Sequence, residues 1–354
     1  MAVLSMKRSI MACLAVGLCG ALWLFAAAAQ TLQGPQDRAM TVVVDGLDYP
    51  WSMQHSGGRL LITEAAGHVV VVEGGRRTRY TLATSDPIAR EGGAGLLGMA
   101  LAPDYASTGI AYFYHAYRTA TGLTNKVIEA RFDGRSWRET RTLLAGIPGH
   151  LLYNGGRIAI GPDGLLYVTT GWTENRERPQ DIGSLAGKVL RMTLDGKVPA
   201  SNPFPGSYVY SYGHRNPQGL AWNRAGQLFV VEHGQFAHDE INLIKPGANY
   251  GWPLVEGSSV RAGMEPAWLE SGRDTWAPSG ATFLHDELLV AALGARGLFT
   301  VGPGRREMVP LFKSDERIRD VLAVGDDLYL LTTNRSPRAE GPSKDRLLRL
   351  SSKR

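Results

Sequence analysis

From residue 41 onward the apolar positions fall in short runs, not along the three-and-four spacing of an amphipathic helix. Runs at 60–63 (LLIT), 112–114 (YFY), 166–169 (LYVT), 228–231 (LFVV), 288–290 (LLV) and 328–331 (LYLL) are bounded by Gly, Asp, Asn and Pro, the signature of strands separated by tight turns. Their starts recur every ~40–60 residues, the scale of a propeller blade. Second strand-like runs follow at 69–73, 127–132, 189–194, 241–244 and 298–301, each before a turn, and a sixth at 347–350 ends the series. Each unit is too small a sheet to cover its own faces, so the units must pack against one another. The pattern predicts an all-β fold, a six-bladed β-propeller. The run 41–44 has no partner in its own unit and is expected beside 347–350, where it would remove an exposed edge. An irregular pair of β-sandwiches is the alternative arrangement.

The N-terminus has a different pattern. Lys7 and Arg8 precede an unbroken apolar stretch, 10–29, that ends Ala26-Ala27-Ala28-Ala29-Gln30. These are the parts of a secretory signal peptide, which gives three segments: signal peptide 1–29, linker 30–40 and one β-domain 41–354. The apolar stretch also has the length of a bilayer span, so an uncleaved anchor is the other reading. Once the signal is removed no membrane span is expected, and the compartment is extracytoplasmic: secreted, periplasmic or cell-surface. Both cysteines, Cys13 and Cys19, lie in this stretch. A mature chain without cysteine must be held by packing or metals, not by disulfides.

Composition changes the picture little. With 44% hydrophobic residues among 354, the chain has the material for a large core, which excludes disorder as the main state. Its 43 glycines, near 12% against an average of ~7%, agree with many turns. The formal charge of +5 is spread without a long basic block, so no nucleic-acid partner is expected. No G-x-S-x-G elbow, P-loop or Rossmann fingerprint opens a β-α unit, which weakens hydrolase, kinase and nicotinamide readings.

Candidate chemistry falls in long, unequal loops. In 211–219 (SYGHRNPQG), Arg215 and Asn216 offer a charged fork and an amide suited to a planar, oxygen-rich ligand. A polar surface turn reads equally well. Arg317 and Arg319 stand two apart, on one face of a strand, where they would receive carboxylates, or pair with Asp315 or Asp320 along an exposed edge. The stretch 232–240 (EHGQFAHDE) combines a Gly turn with acids, which suits calcium better than zinc, since calcium takes backbone carbonyls and carboxylates.

At these loops the chain resembles the soluble quinoprotein glucose/sorbosone dehydrogenase family, including the bacterial aldose sugar dehydrogenases. The matching strings are EGGAGLLGMALAPDY from Glu91, YNGGRIAIGPDGLLYVTTG from Tyr153, LAGKVLRMTLDGKVPASNPF from Leu185, YSYGHRNPQGLAW from Tyr210, EHGQFAHDEINLIKPGANYGWP from Glu232, TWAPSG from Thr275 and RIRDVLAVGDDLYLLTTNR from Arg317. The resemblance implies a six-bladed propeller that holds pyrroloquinoline quinone (PQQ) with calcium and oxidises the CH–OH group of an aldose-type sugar, passing electrons to an unidentified acceptor. It implies cofactor contacts from Arg215, Asn216, Thr275, Arg317 and Arg319. It implies calcium ligation by the carbonyls of Gly234 and Gln235, and a second, structural calcium near Asp239, Glu240 and Tyr250. Tyr153 and Arg215 take the catalytic positions. Tyr153 stands where the family has a His as general base, and a phenol, ordinarily near pKa ~10, accepts a proton poorly at neutral pH; activation by Arg157 or by the calcium-bound cofactor is expected. His150, three residues earlier, is not assigned that role. Trp172, Gly93 and Gly294 replace polar residues found in the family. Two other functions stay open: a calcium-binding propeller that has lost its chemistry, and a calcium-dependent lactone hydrolase.

Overall fold

The computed structural model describes residues 38–304, 307–334 and 344–352. The expected signal peptide, 1–29, and residues 30–37 of the expected linker lie outside the described residues. Residues 38–40, read as linker, belong to the strand Arg38–Leu47. Helix among the described residues is confined to one turn, Tyr105–Thr108. The other regular structure is strand, arranged as four four-stranded sheets and one of eight strands. The eight-stranded sheet is two antiparallel runs that meet in a short parallel step, Leu82 beside Trp137 and Ala83 beside Arg138.

The expected closure is present. Arg38–Leu47 pairs antiparallel with Asp345–Ser352, with Met40 opposite Leu350 and Val42 opposite Leu348. One sheet thus holds both ends of the described chain, and the edge of Asp345–Ser352 is covered. The strands Pro50–Ser56, Leu96–Leu101, Gly155–Ile160, Pro217–Trp222, Pro278–Leu284 and Ile318–Val324 pack side by side in that order, and the last returns to the first. The architecture is propeller-like, with these strands innermost.

Between neighbouring sheets lie dry layers such as Trp51, Leu97, Tyr114, Ile158, Val168 and Leu190, or Leu289, Leu298, Ile318, Leu330 and Leu348. Each large apolar side chain so buried contributes about 1.5–3 kcal/mol relative to exposure. Every innermost strand also carries a register shift near its start: between Pro50 and Met53, Leu96 and Met99, Gly155 and Ile158, Pro217 and Gly219, Pro278 and Ala281, and Ile318 and Asp320. A bulge re-aims the side chains beside it, and these all sit at one end of the ring. Close approach there demands small residues: a Cβ on Gly280 would overlap Asp320 Oδ1 and fall 2.7 Å from Asp320 Cα.

Candidate active site

At the bulged end of the ring is a cavity of ≈ 630 Å³. It brings together nine of the eleven residues singled out above: Tyr153, Arg215, Asn216, Gly234, Gln235, Asp239, Thr275, Arg317 and Arg319. These come from loops more than 160 positions apart in the chain, as the numbering shows. Glu240 and Tyr250 are not in its wall. Gly93 and Gly294 both line the cavity.

One wall is cationic. Arg319 is 4% exposed, and its guanidinium lies 5.9 Å from the Tyr49 ring and 6.0 Å from Trp51. Its Nη1 reaches Gln218 Oε1 and Ser279 Oγ, both at 3.5 Å, and its Nε is buried without an acceptor. Arg317 also lines the cavity, but it precedes the strand Ile318–Val324 and the register shifts between Ile318 and Asp320, so strand alternation is not what brings the two together. Beneath them Asp320 holds Arg157 in a buried ion pair at 3.1 Å and accepts the Met53 N–H at 2.9 Å. Arg157 also donates to the Gln218 carbonyl at 2.9 Å and stacks on Trp51 at 4.4 Å. Its Nε and Nη1 are engaged here; the cation against Tyr153 is Arg215.

Arg215 is 5% exposed and caged by three rings: Tyr153 at 4.7 Å, Trp252 at 5.3 Å and Trp172 at 5.7 Å. Burial lowers its pKa, opposed by Tyr153, Glu232 and Asp239, and its Nε and the Trp172 Nε1 lack acceptors. The Glu232 carboxylate fixes the Arg215 backbone, accepting its N–H at 2.8 Å. Asn216 is locked as well, its Oδ1 accepting the Gly155 N–H and Gln218 Nε2, both at 3.2 Å.

The opposite wall is the loop after Glu232. Asp239 Oδ1 accepts the Gly234 N–H at 2.9 Å, and Oδ2 accepts the N–H groups of Trp276 and Ala277, each at 2.7 Å. Thr275 Oγ1 donates to the Phe236 carbonyl at 2.9 Å. Asp239 and Thr275 therefore act as loop clasps, and the Asp239 carboxylate is spent on three amides. His233 also lines the cavity; its Nε2 donates to the Pro278 carbonyl at 2.9 Å, and burial pulls its imidazole down to about 4. A Cβ on Gly234 would overlap the Ala237 carbonyl, so this turn requires glycine.

Glu240 and Tyr250 belong to a sealed polar cluster under that loop. Glu240 Oε1 accepts the Gly257 N–H at 2.6 Å, and Oε2 accepts Asn242 Nδ2 at 2.9 Å. The same Asn242 Nδ2 donates to Glu232 at 2.9 Å. Burial, with Glu232 nearby, pushes the Glu240 carboxyl up to about 8. The Tyr250 hydroxyl donates to the Leu243 carbonyl at 2.7 Å, and the ring stacks on His214 at 4.8 Å. Asp239 lies apart in the cavity wall, and the side-chain oxygens of all three residues are occupied within the protein. Among the described residues no group of three or more His, Cys, Asp or Glu is suited to hold a metal. These three do not fit a second calcium site through their side chains. Gly234 and Gln235 fit only a part of the six to eight oxygens calcium needs, the remainder falling to a bound ligand.

The rim at Tyr153 is aromatic. Tyr153 stacks on His150 with ring centres 5.6 Å apart and planes at 6°, and tilts against Trp172 at 5.9 Å. Glu174 lines the cavity here. It follows Thr173, and both hold positive φ, 56° and 57°, a conformation that costs non-glycine residues of order 1–3 kcal/mol each. Sequence reading did not find Tyr49, Trp51, Gln218 or Glu174. Gln218 sits inside the GHRNPQG string, and the others carry no motif of their own.

Buried guanidinium and indole N–H groups without acceptors, between aromatic walls and backbone carbonyls, fit a flat ligand with several carboxylate or carbonyl oxygens. Fold and site define a propeller-like β-protein with a cationic end cavity for such a ligand. Residues 47–340 match the glucose/sorbosone dehydrogenase family. The chain is 37% identical over 197 residues to quinoprotein glucose dehydrogenase B of Acinetobacter calcoaceticus, covering 47% of this chain and 41% of that one. It is 29% identical over 337 residues to aldose sugar dehydrogenase YliI of Escherichia coli, covering 83% and 90%. The PQQ-bound aldose sugar dehydrogenase of Streptomyces coelicolor superposes with a TM-score of 0.80 at 36% identity, over 90% of this chain and 99% of that one. The chain belongs to the glucose/sorbosone dehydrogenase family.

Proposed function

We propose that this protein is an exported, PQQ-dependent oxidoreductase that oxidises the CH–OH group of aldose-type sugars and passes the electrons to a separate acceptor. The observation that carries the reading is the pair of buried guanidiniums, Arg215 and Arg319, with Nε donors unmatched inside an aromatic-walled cavity. Membership of a family with PQQ-binding members supports it. Bound there, the quinone supplies a two-electron acceptor. Arg317, Arg319 and the Thr275 region would hold its carboxylates. Arg215 and Asn216 would face its carbonyl oxygens, where a fixed positive charge stabilises developing negative charge. Trp51, Tyr153 and Trp172 give the cavity its aromatic walls. The carbonyls of Gly234 and Gln235 would help to hold calcium, which would supply positive charge beside the bound ligand. For the scaffold, the eight-stranded sheet counts as two blades, giving six around the ring of innermost strands.

Calorimetric titration of calcium-loaded protein with PQQ, followed by a dye-linked assay over a sugar panel, tests the reading. Saturable binding that weakens on chelation, with turnover of at least one aldose, is expected. No binding would sink it. Binding without turnover of any sugar would favour the second reading, a propeller that keeps the scaffold and has lost its chemistry, for which the observation is Tyr153 at the base position. Export predicts a mature N-terminus near residue 30, read by intact-mass measurement of the secreted protein.

A further inference from the structure

We propose that the Glu174 carboxylate is the group that takes the proton from the substrate hydroxyl, with His150 as its positioning residue. The proposal rests on the sugar-oxidising reading of the cavity. A proton acceptor must face the cavity and keep a free lone pair at neutral pH. Asp239 and Glu174 are the two carboxylates that line it. Asp239 already accepts three backbone N–H groups. Tyr153 carries a phenol, a group that ordinarily keeps its proton at neutral pH. The His233 Nδ1 lies 3.4 Å from Asn216 Nδ2, and its Nε2 is bound to the Pro278 carbonyl.

Glu174 has a different setting. Its side chain is 50% exposed, and its ion-pair partner among the described residues is His150 Nε2, at 3.5 Å from Oε2. The tautomer of His150 follows from its other nitrogen. Nδ1 accepts the Leu152 N–H at 3.1 Å, so in the neutral ring Nε2 bears the hydrogen and presents it to the carboxylate. His150 is itself fixed by a reciprocal clasp, its N–H on Asn154 Oδ1 at 2.9 Å and its carbonyl under Asn154 Nδ2 at 2.5 Å, and by the stack on Tyr153. On the chain side, Thr173 Oγ1 donates to the Trp172 carbonyl at 2.8 Å and accepts from Arg178 Nη1 at 2.9 Å. These contacts hold the two left-handed residues that bring Glu174 to the rim. A strained turn kept at a cavity edge is where function is sought.

In the step, the O–H bond of the sugar hydroxyl breaks and its proton goes to Glu174 Oε. The carbinol C–H leaves as hydride, with its electron pair, to the quinone oxidant of the proposed reaction. The C–O bond becomes C=O, so the sugar is oxidised by two electrons and the quinone reduced by two.

Three variants and one cofactor-free measurement test it. Glu174→Gln should lower kcat by on the order of a hundredfold or more while PQQ affinity by calorimetry stays within about twofold of wild type. Glu174→Gly should lose turnover equally without a lower melting temperature, because glycine relieves the positive φ, and added formate should restore part of it. His150→Gln should lower kcat by about tenfold and move the acidic limb of its pH profile. In cofactor-free protein, nitrogen NMR should show the His150 Nε2 resonance moving when Glu174 becomes Gln, because its carboxylate partner is gone. Wild-type protein that oxidises a sugar together with a Glu174→Gln variant within about threefold of it overturns this proposal and leaves the functional reading standing. So does a Glu174→Gly variant that is less stable and unresponsive to formate. Wild-type protein that binds no PQQ, or oxidises nothing, removes both.

Discussion

At the scale of single residues, burial decides what each charged group can do. Arg319 is surrounded by Tyr49, Trp51, Gln218 and Ser279, a setting for a planar, weakly hydrated cation. Arg319→Lys keeps the charge and loses the fork, so PQQ affinity should fall by about 10–100-fold, or ~1.4–3 kcal/mol, with little change in melting temperature. Calorimetry and a thermal scan of the same sample check this. His115 is a different case, outside the cavity lining. It is fully buried with Nε2 unpartnered, and burial pulls its pKa down to about 4, against ~6.5 in the unfolded chain. Between those values the unfolded chain binds more protons than the folded one. Stability must therefore fall as pH drops from ~6.5 towards ~4, by on the order of 3 kcal/mol when complete. Urea midpoints for wild type and His115→Gln at pH 7 and pH 4.5 should show a smaller pH dependence in the variant.

At the scale of elements, the loop 171–187 carries Trp172 and Glu174 and needs an internal anchor. Lys188 supplies it: fully buried, its Nζ donates to the carbonyls of Arg178, Pro179 and Ala186 at 2.7, 3.0 and 2.7 Å. Lys188→Met would leave three carbonyls without their donor. A loss of about 2–4 kcal/mol in stability is expected, with weaker PQQ binding because Trp172 is no longer held. Limited proteolysis within 171–187 and calorimetry check the two halves. Elements also show why sequence reading was uneven. The runs LLIT, LYVT, LFVV and LYLL fall inside the strands Arg59–Glu64, Leu166–Thr170, Leu228–Glu232 and Asp327–Thr332, because these are buried on both faces and read as continuous apolar runs. The innermost strands GGRIAI, PQGLAW and PSGATFL carry Gly and Pro at their bulged starts and so read as turns. The outer strand Arg76–Ala83 is mostly exposed and gives no apolar signal.

At the scale of the whole molecule, stability depends on closing the ring. Each sheet buries its faces only against its neighbours, and the sheet holding Ile318–Val324 is completed by Arg38–Leu47. A chain that lacks residues 1–47 would expose the edge of Asp345–Ser352 and uncover Leu331 and Leu347, against which Val44 and Leu47 pack. It should lose its cooperative melting transition and elute as aggregate in size-exclusion chromatography, while the longer chain stays monodisperse.

The sequence alone determined the all-β character, the pairing of 41–44 with 347–350, and the identity of the cationic residues, because strand pattern and turn chemistry are local and the GHRNPQG and RIRD strings are contiguous. Only the tertiary structure decided which of those residues share a cavity and what each is free to do. It placed Arg215 over Tyr153, committed Arg157 to Asp320, turned Asp239 into a clasp for three amides, and sank Glu240 and Tyr250 below the wall. It also brought Glu174 to His150 across 24 positions of chain. Such outcomes depend on which partner reaches a polar atom first once water is excluded, and that competition is settled by packing between loops, which no spacing along one strand records.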